Sequence, residues 1–177
     1  MALTIDAIKA APNKKELIEL LSAELHRLLP EEVQEDRDLY YETVECLPAG
    51  LRSMAGIYAF DIAMADETLI SYFCNLDDER EFLETVRGLR ELELPEIAEF
   101  LEKTQKFMEP HMEALDTLDF GGKEFPEWLE EIGAIKELDP LDEKIQLHLK
   151  KCGRMGLLES WPLYARKYPE RCVVAEA

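Results

Sequence analysis

Apolar residues recur at three- and four-residue spacing along most of the chain, the period of helices that turn one face to a core. Asn13, followed by Glu16, reads as a helix start, and Leu17, Leu20, Leu21, Leu25 and Leu28 continue the stripe until Pro30 stops it. A second helix is expected from about Glu31 to Cys46, with Val33, Leu39, Tyr40, Val44 and Leu47 as a looser apolar face, before Leu47-Pro48 breaks the pattern. Leu51 to Ala65 is the most apolar stretch, and Leu51, Met54, Ala55, Tyr58 and Ile62 mark its inward face, which makes it the predicted central helix.

Residues 66–75 read as a short helical piece. The acids Asp77, Asp78 and Glu79 then suit the positive N-terminal end of a new helix, with Asn75 or Asp77 as its cap. Phe82, Val86 and Leu89 carry that helix to about Leu92. Pro95 fits the first turn of the next, with Ile97, Phe100, Leu101, Thr104 and Met108 facing in and Pro110 bending or ending it. Gly121-Gly122 reads as a hinge, and Phe125-Pro126 opens a short helix through Trp128, Leu129 and Ile132 to Gly133. Asp139-Pro140 supplies a cap and a first-turn proline for a separate helix through Ile145, Leu147 and Leu149 to about Cys152, stopped by Gly153 and Gly156. A last short helix is expected over Leu157 to Tyr168, with a loose tail after it.

No stretch alternates apolar and polar residues at strand length, and no fixed-period repeat is present. The predicted fold class is all-α: a compact domain of about seven to ten helices packed around the Leu51 to Ala65 helix. The 177 residues suit one core, divided here into an acidic helical domain, 1–152, and a basic C-terminal segment, 153–177, packed on the same domain.

Charge changes this picture more than any other compositional feature. The chain carries 39 acids and 20 bases, a formal charge of −19. Direct nucleic-acid binding is disfavoured, since phosphate contacts need lysine and arginine. The imbalance is uneven, with 36 acids and 13 bases over residues 1–143 against 2 acids and 7 bases over residues 144–171. Two acidic clusters stand out, 31–45 and 124–143. Charged outer faces are ordinary on amphipathic helices, but self-repulsion on this scale is commonly tolerated for solubility or for steering a basic partner.

The longest apolar run, Met54 to Ala65, is interrupted by Asp61 and is too short to span a bilayer. The N-terminus, with Asp6, lacks the order of a secretory signal. A cytoplasmic protein without membrane contact is expected. Cys46, Cys74, Cys152 and Cys172 form no Cys-x-x-Cys pair and read as free thiols.

Catalytic signatures are missing. None of His26, His111 and His148 follows a glutamate by three residues, and no His-Glu-x-x-His occurs, so no metal or other cofactor is indicated. Ser22, Ser53, Ser71 and Ser160 lie in no Gly-x-Ser-x-Gly elbow. Gly121-Gly122-Lys123 departs from a phosphate loop at Thr117 and Glu124.

Leu47-Pro48-Ala49-Gly50-Leu51-Arg52, the apolar helix after it, and Tyr72-Phe73-Cys74-Asn75 together resemble the DNA mimic protein 19-like family. There a Leu-Pro…Arg helix leads into Asn-Gly-Gly-Phe-x-Gln-Tyr-Phe-x-Asn. Tyr72, Phe73 and Asn75 match. Asp66-Glu67-Thr68-Leu69 stands in place of Asn-Gly-Gly-Phe and Ser71 in place of Gln, so the glycine turn is lost. The similarity spans about residues 40–115 and weakens toward 150. It implies an all-helical fold, no cofactor, and, in part of the family, an acidic surface that imitates DNA phosphates. Read from the residues alone, Tyr72 and Phe73 are core aromatics and Asn75 is a cap.

The function expected from these readings is that of a non-catalytic acidic protein engaging a basic protein, by DNA mimicry or, as the alternative, as an immunity- or antitoxin-like blocker of a toxin. An enzyme is the minority reading. The partner-binding residues are Glu31, Glu32, Glu35, Asp36, Asp38, Glu127, Glu130 and Glu131. The partner would be a DNA-binding regulator or a toxin, and a homodimer is a further expectation.

Overall fold

The computed structural model describes residues 2–66, 69–76, 78–115, 117–118, 122–152 and 156–175. The expectations for Glu67, Thr68, Asp77, Gly121 and Gly153, and for the side chains of Cys74, His148 and Cys152, lie outside the described residues.

The chain folds as α1 (Ile5–Ala10), α2 (Lys14–Leu28), α3 (Glu31–Gln34), α4 (Arg37–Glu45), α5 (Ala49–Asp66), α6 (Leu69–Cys74), α7 (Glu79–Glu91), α8 (Pro95–Met108), α9 (Met112–Leu115), α10 (Glu124–Glu131), α11 (Ala134–Cys152) and α12 (Ser160–Lys167). Short 3₁₀ turns cover Glu109–His111, Gly156–Glu159 and Pro169–Arg171. Among the described residues there is no strand, and the fold is a compact multi-helix all-α one.

The main packing contact is α5 on α7. It is tight because each helix offers a glycine to the other's backbone. A Cβ on Gly56 would sit 2.7 Å from the Glu84 carbonyl oxygen, and one on Gly88 2.7 Å from that of Ser53. Thr85 Oγ1 donates to the Gly56 carbonyl at 2.8 Å, and Tyr72 Oη donates to Thr85 Oγ1 at 3.2 Å, tying α6 into the same crossing. Phe60, Tyr72, Phe73 and Phe82 form an aromatic chain here, with ring centroids 5.1, 5.4 and 6.0 Å apart in turn, the first two contacts edge-to-face and the last tilted. From α7 the chain reverses through Glu93, in the left-handed region at φ 64°, while Leu94 N–H bonds the Leu89 carbonyl at 2.8 Å. Pro95 then starts α8, which packs on α7 and α11.

The C-terminal segment lies against α1, α2 and α5. Its N-terminal turn is held by Asp61, the charge inside the most apolar helix, whose Oδ1 accepts from Leu157 N–H at 2.7 Å. Gly156 makes room for that carboxylate with φ 57°, where a Cβ would lie 2.7 Å from Asp61 Oδ1. Lys14 of α2 pairs with the segment's Glu159 at 3.0 Å, and the segment's Lys167 and Arg171 pair with Glu93 at 2.5 Å and Glu91 at 2.7 Å.

Several expectations need correction. The 31–46 helix is two helices, because Asp36 leaves the helical conformation and caps α4, accepting from Leu39 N–H at 3.1 Å. Conversely, Asp139-Pro140 starts nothing: α11 runs through Pro140, and Ala134, Leu138, Ile145 and Leu149, with half-buried Leu141, form one stripe across it. Continuous burial on that face outweighs the one helical hydrogen bond that proline cannot donate. Tyr58 and Ile62 are half-exposed, and Ile57, Phe60 and Met64 take the inward positions. With apolar residues nearly all round α5, periodicity alone does not fix which arc faces the core. The cap of α7 is Asp78, accepting from Arg80 N–H at 2.8 Å, while Asn75 Nδ2 donates to the Ser71 carbonyl at 2.8 Å at the end of α6. The tail after Tyr168 docks through Pro169 and fully buried Cys172, whose Sγ lies 2.6 Å from where a Cβ on Gly50 would be. Helix α1 was not expected; Thr4 caps it.

Candidate functional site

The residues carrying the family resemblance fall mainly in the core. Tyr72 and Phe73 are buried in the aromatic chain, and only Asn75 is exposed. Arg52, from the Leu-Pro…Arg portion, makes the central ion pair of the α5–α7 crossing. Its Nε and Nη2 donate to the two oxygens of Glu84 at 2.9 and 2.5 Å. Arg87 Nε donates to Glu84 Oε2 at 3.0 Å, and its Nη2 lies 2.9 Å from that oxygen but out of hydrogen-bond alignment. Burial alone would raise the Glu84 pKa; the two guanidiniums reverse that and hold it below the ordinary 4.5. This cluster buries a satisfied charge and holds two helices in register.

All eight expected partner-binding acids are exposed. Two have structural duties as well: Asp36 caps α4, and Asp38 pairs with Arg80 at 2.7 Å. Glu31, Glu32, Glu35, Glu127, Glu130 and Glu131 form no ion pair with a described cation. The described arginines, by contrast, are engaged inside the chain: Arg27 on Glu24, Arg52 and Arg87 on Glu84, Arg80 on Asp38 and Asp78, Arg90 on Glu102, Arg171 on Glu91, and Arg166 on the Ala11 carbonyl. The excess negative charge therefore stays on the outer faces. The two clusters rest on different supports, α4 on α5 and α10 on α11. On α10 the inner side carries Phe125 and Trp128, stacked at 6.0 Å, leaving Glu127, Glu130 and Glu131 outside.

Sequence reasoning missed two depressions beside the first cluster. A groove of about 270 Å³ runs between α2, the α3–α4 segment, α5 and α12, with Leu25, Leu29, Ala55, Leu158 and Trp161 among its lining and His26, Gln34, Tyr40 and Tyr58 also bordering it. His26 Nδ1 is 2.8 Å from the Ser22 carbonyl, which makes that nitrogen the donor of the pair. Trp161 is fully buried, and its Nε1–H finds no acceptor among the described residues. Across Tyr40 and Ala55 lies a second, smaller cavity of about 180 Å³, with Tyr41, Gly56, Glu81 and Glu84 among its lining. Burial, and then the negative field of Glu81 and Glu84, raise the Tyr40 pKa. The only sequence signal for these depressions was exposed Tyr58 on the apolar helix, read as core.

Among the described residues no group of three or more histidine, cysteine or acidic side chains could hold a metal ion, and no helix is long and apolar enough to cross a membrane. Cys46 is exposed and free; Cys172 is buried and free, its thiol pushed up to about 12 by burial.

Fold and surface thus define an all-helical protein that pairs most of its described arginines with its own acids and displays other carboxylates unpaired. The model of the DMP19-like protein family matches residues 45–167, and the chain belongs to that family. The match runs from the end of α4 through α12, further than the Leu47–Asn75 motifs alone. No curated protein and no solved structure matches the chain.

Proposed function

We propose that this protein is a non-catalytic acidic binding protein that engages a basic protein partner in the cytoplasm, presenting carboxylates where that partner expects DNA phosphates. The observation that carries this reading is the pattern of pairing: the described arginines are engaged by groups of the chain itself, whereas Glu31, Glu32, Glu35, Glu127, Glu130 and Glu131 are exposed without described cationic partners. Family membership supports the mimic form of it. A surface like this steers a cationic protein from a distance and speeds its arrival more than it slows its departure.

The test is competition and charge reversal. A DNA-binding regulator held by this protein should be released by duplex DNA. Retention in the face of DNA, with inhibition of a toxic enzyme, would identify a toxin blocker instead. Glu127→Lys, Glu130→Lys and Glu131→Lys together should slow association and flatten its salt dependence. Binding indifferent both to salt and to these reversals would overturn the proposal.

A further inference from the structure

The apolar groove is bordered by the acidic segment. Gln34, which borders it, lies in α3 between Glu31, Glu32 and Glu35, all exposed. Tyr40 and Ala55 separate the groove from the smaller cavity, where Glu81 and Glu84 are among the lining. Two adjoining depressions therefore differ in character. One offers mostly apolar surface, with the half-exposed Tyr58 ring at its edge; the other places carboxylates beside two tyrosine rings. Tyr58 and Ile62, a helical turn apart on α5 and half-exposed, extend the apolar surface beyond the groove. Isolated exposed apolar side chains are ordinary, but an apolar groove continuous with a strip of them, and bordered by acids, has the pattern of a recognition surface.

We infer that this groove docks a basic amphipathic helix of the partner, with one apolar side chain seated in the groove and lysines or arginines against the exposed α3 acids. The commitment to this occupant comes from charge complementarity. An uncharged apolar segment would leave the exposed Glu31, Glu32 and Glu35 uncompensated, and a purely cationic one would leave the groove unfilled. An amphipathic helix satisfies both, since residues three and four apart share one face and the flanking positions diverge from it. The inference rests on the basic-partner reading above. It adds a short-range contact that governs dissociation to the long-range steering.

The probe is a fluorescein-labelled synthetic peptide of about 18 residues, five helical turns, containing only leucine and lysine with the leucines in one stripe. A control of the same composition has its leucines scattered. Binding to the full chain is followed by anisotropy over a salt series. The striped peptide should bind at least tenfold more tightly, about 1.4 kcal/mol. Ser22→Trp, which fills the groove from its rim, and Tyr58→Ser, at a half-exposed position whose truncation spares the core, should each shrink that preference while leaving the salt slope intact. Thermal melts establish that both variants are folded. Equal binding of the two peptides with a steep salt slope overturns the groove and leaves the acidic reading standing. Binding without a salt slope overturns both. Self-association of the chain that Ser22→Trp abolishes would make a second copy the occupant and would also overturn the inference.

Discussion

Glu84 and Asp61 are both carboxylates placed among apolar helices, and they respond to protons in opposite directions. Glu84 is held by Arg52 and Arg87 below its ordinary pKa of 4.5, so its stabilisation is complete above that value and lost as pH falls through the lowered one. Glu84→Gln, which leaves two guanidiniums beside a neutral amide, should cost about 3–5 kcal/mol near neutral pH, the range for breaking a buried pair. Denaturant melts across the acid range should show the variant losing less stability on acidification than the parent. Asp61 is pushed above 3.8 by burial, against the hydrogen bonds from Leu157 and Leu158. It favours folding most below 3.8, and that advantage declines as pH rises through the raised value. Asp61→Asn keeps an acceptor for Leu157 N–H without the charge, and melts at neutral pH should show it no less stable than the parent. Phe73→Ala removes a fully buried ring from the aromatic chain and should cost about 3–5 kcal/mol; melting with the parent would show that the ring does not hold the core.

At the scale of elements, α11 provides a direct test of why local signals mislead. Pro140 lies inside the helix and faces solvent, so Pro140→Ala should restore a helical hydrogen bond and raise stability by about 1–3 kcal/mol, read by thermal melting. A loss of stability would mean that the helix depends on the proline's fixed angle. Helices with strong periodicity and a clear start signal, such as α2 capped by Asn13 and α8 with Pro95 in its first turn, are legible because local propensity and burial agree there. At Asp139-Pro140 the local start signal opposed a stripe reaching from Ala134 to Leu149, and packing on α8 won. On α5 the converse held: every arc was apolar enough to be core, and the backbone contacts at Gly56 and Gly88 decided which one was. Exposed acids could be named from sequence because carboxylates seldom bury unpaired. The groove could not, because its lining comes from six separate elements and most of those residues look like core in one dimension.

For the whole molecule, the formal charge of −19 bears on folding and on the proposed capture of a basic partner with opposite signs, and salt separates the two. Internal pairs such as Arg52–Glu84 and Arg87–Glu84 are short and partly buried, so mobile ions screen them little. The exposed acids of α3 and α10 repel one another and the rest of the surface through solvent, where the Debye length falls from about 10 Å at 0.1 M to about 3 Å at 1 M. Added salt should therefore raise the melting temperature of the free protein while it weakens capture of a basic partner. Glu127→Lys, Glu130→Lys and Glu131→Lys together should reproduce the effect at low salt: a higher melting temperature and slower association in the same variant. Calorimetry over a salt series, alongside association rates under the same conditions, checks both arms. A melting temperature that falls with salt would mean that attraction among surface pairs outweighs repulsion. In that case the acids would be part of what holds the fold together, and their display could not be attributed to the partner.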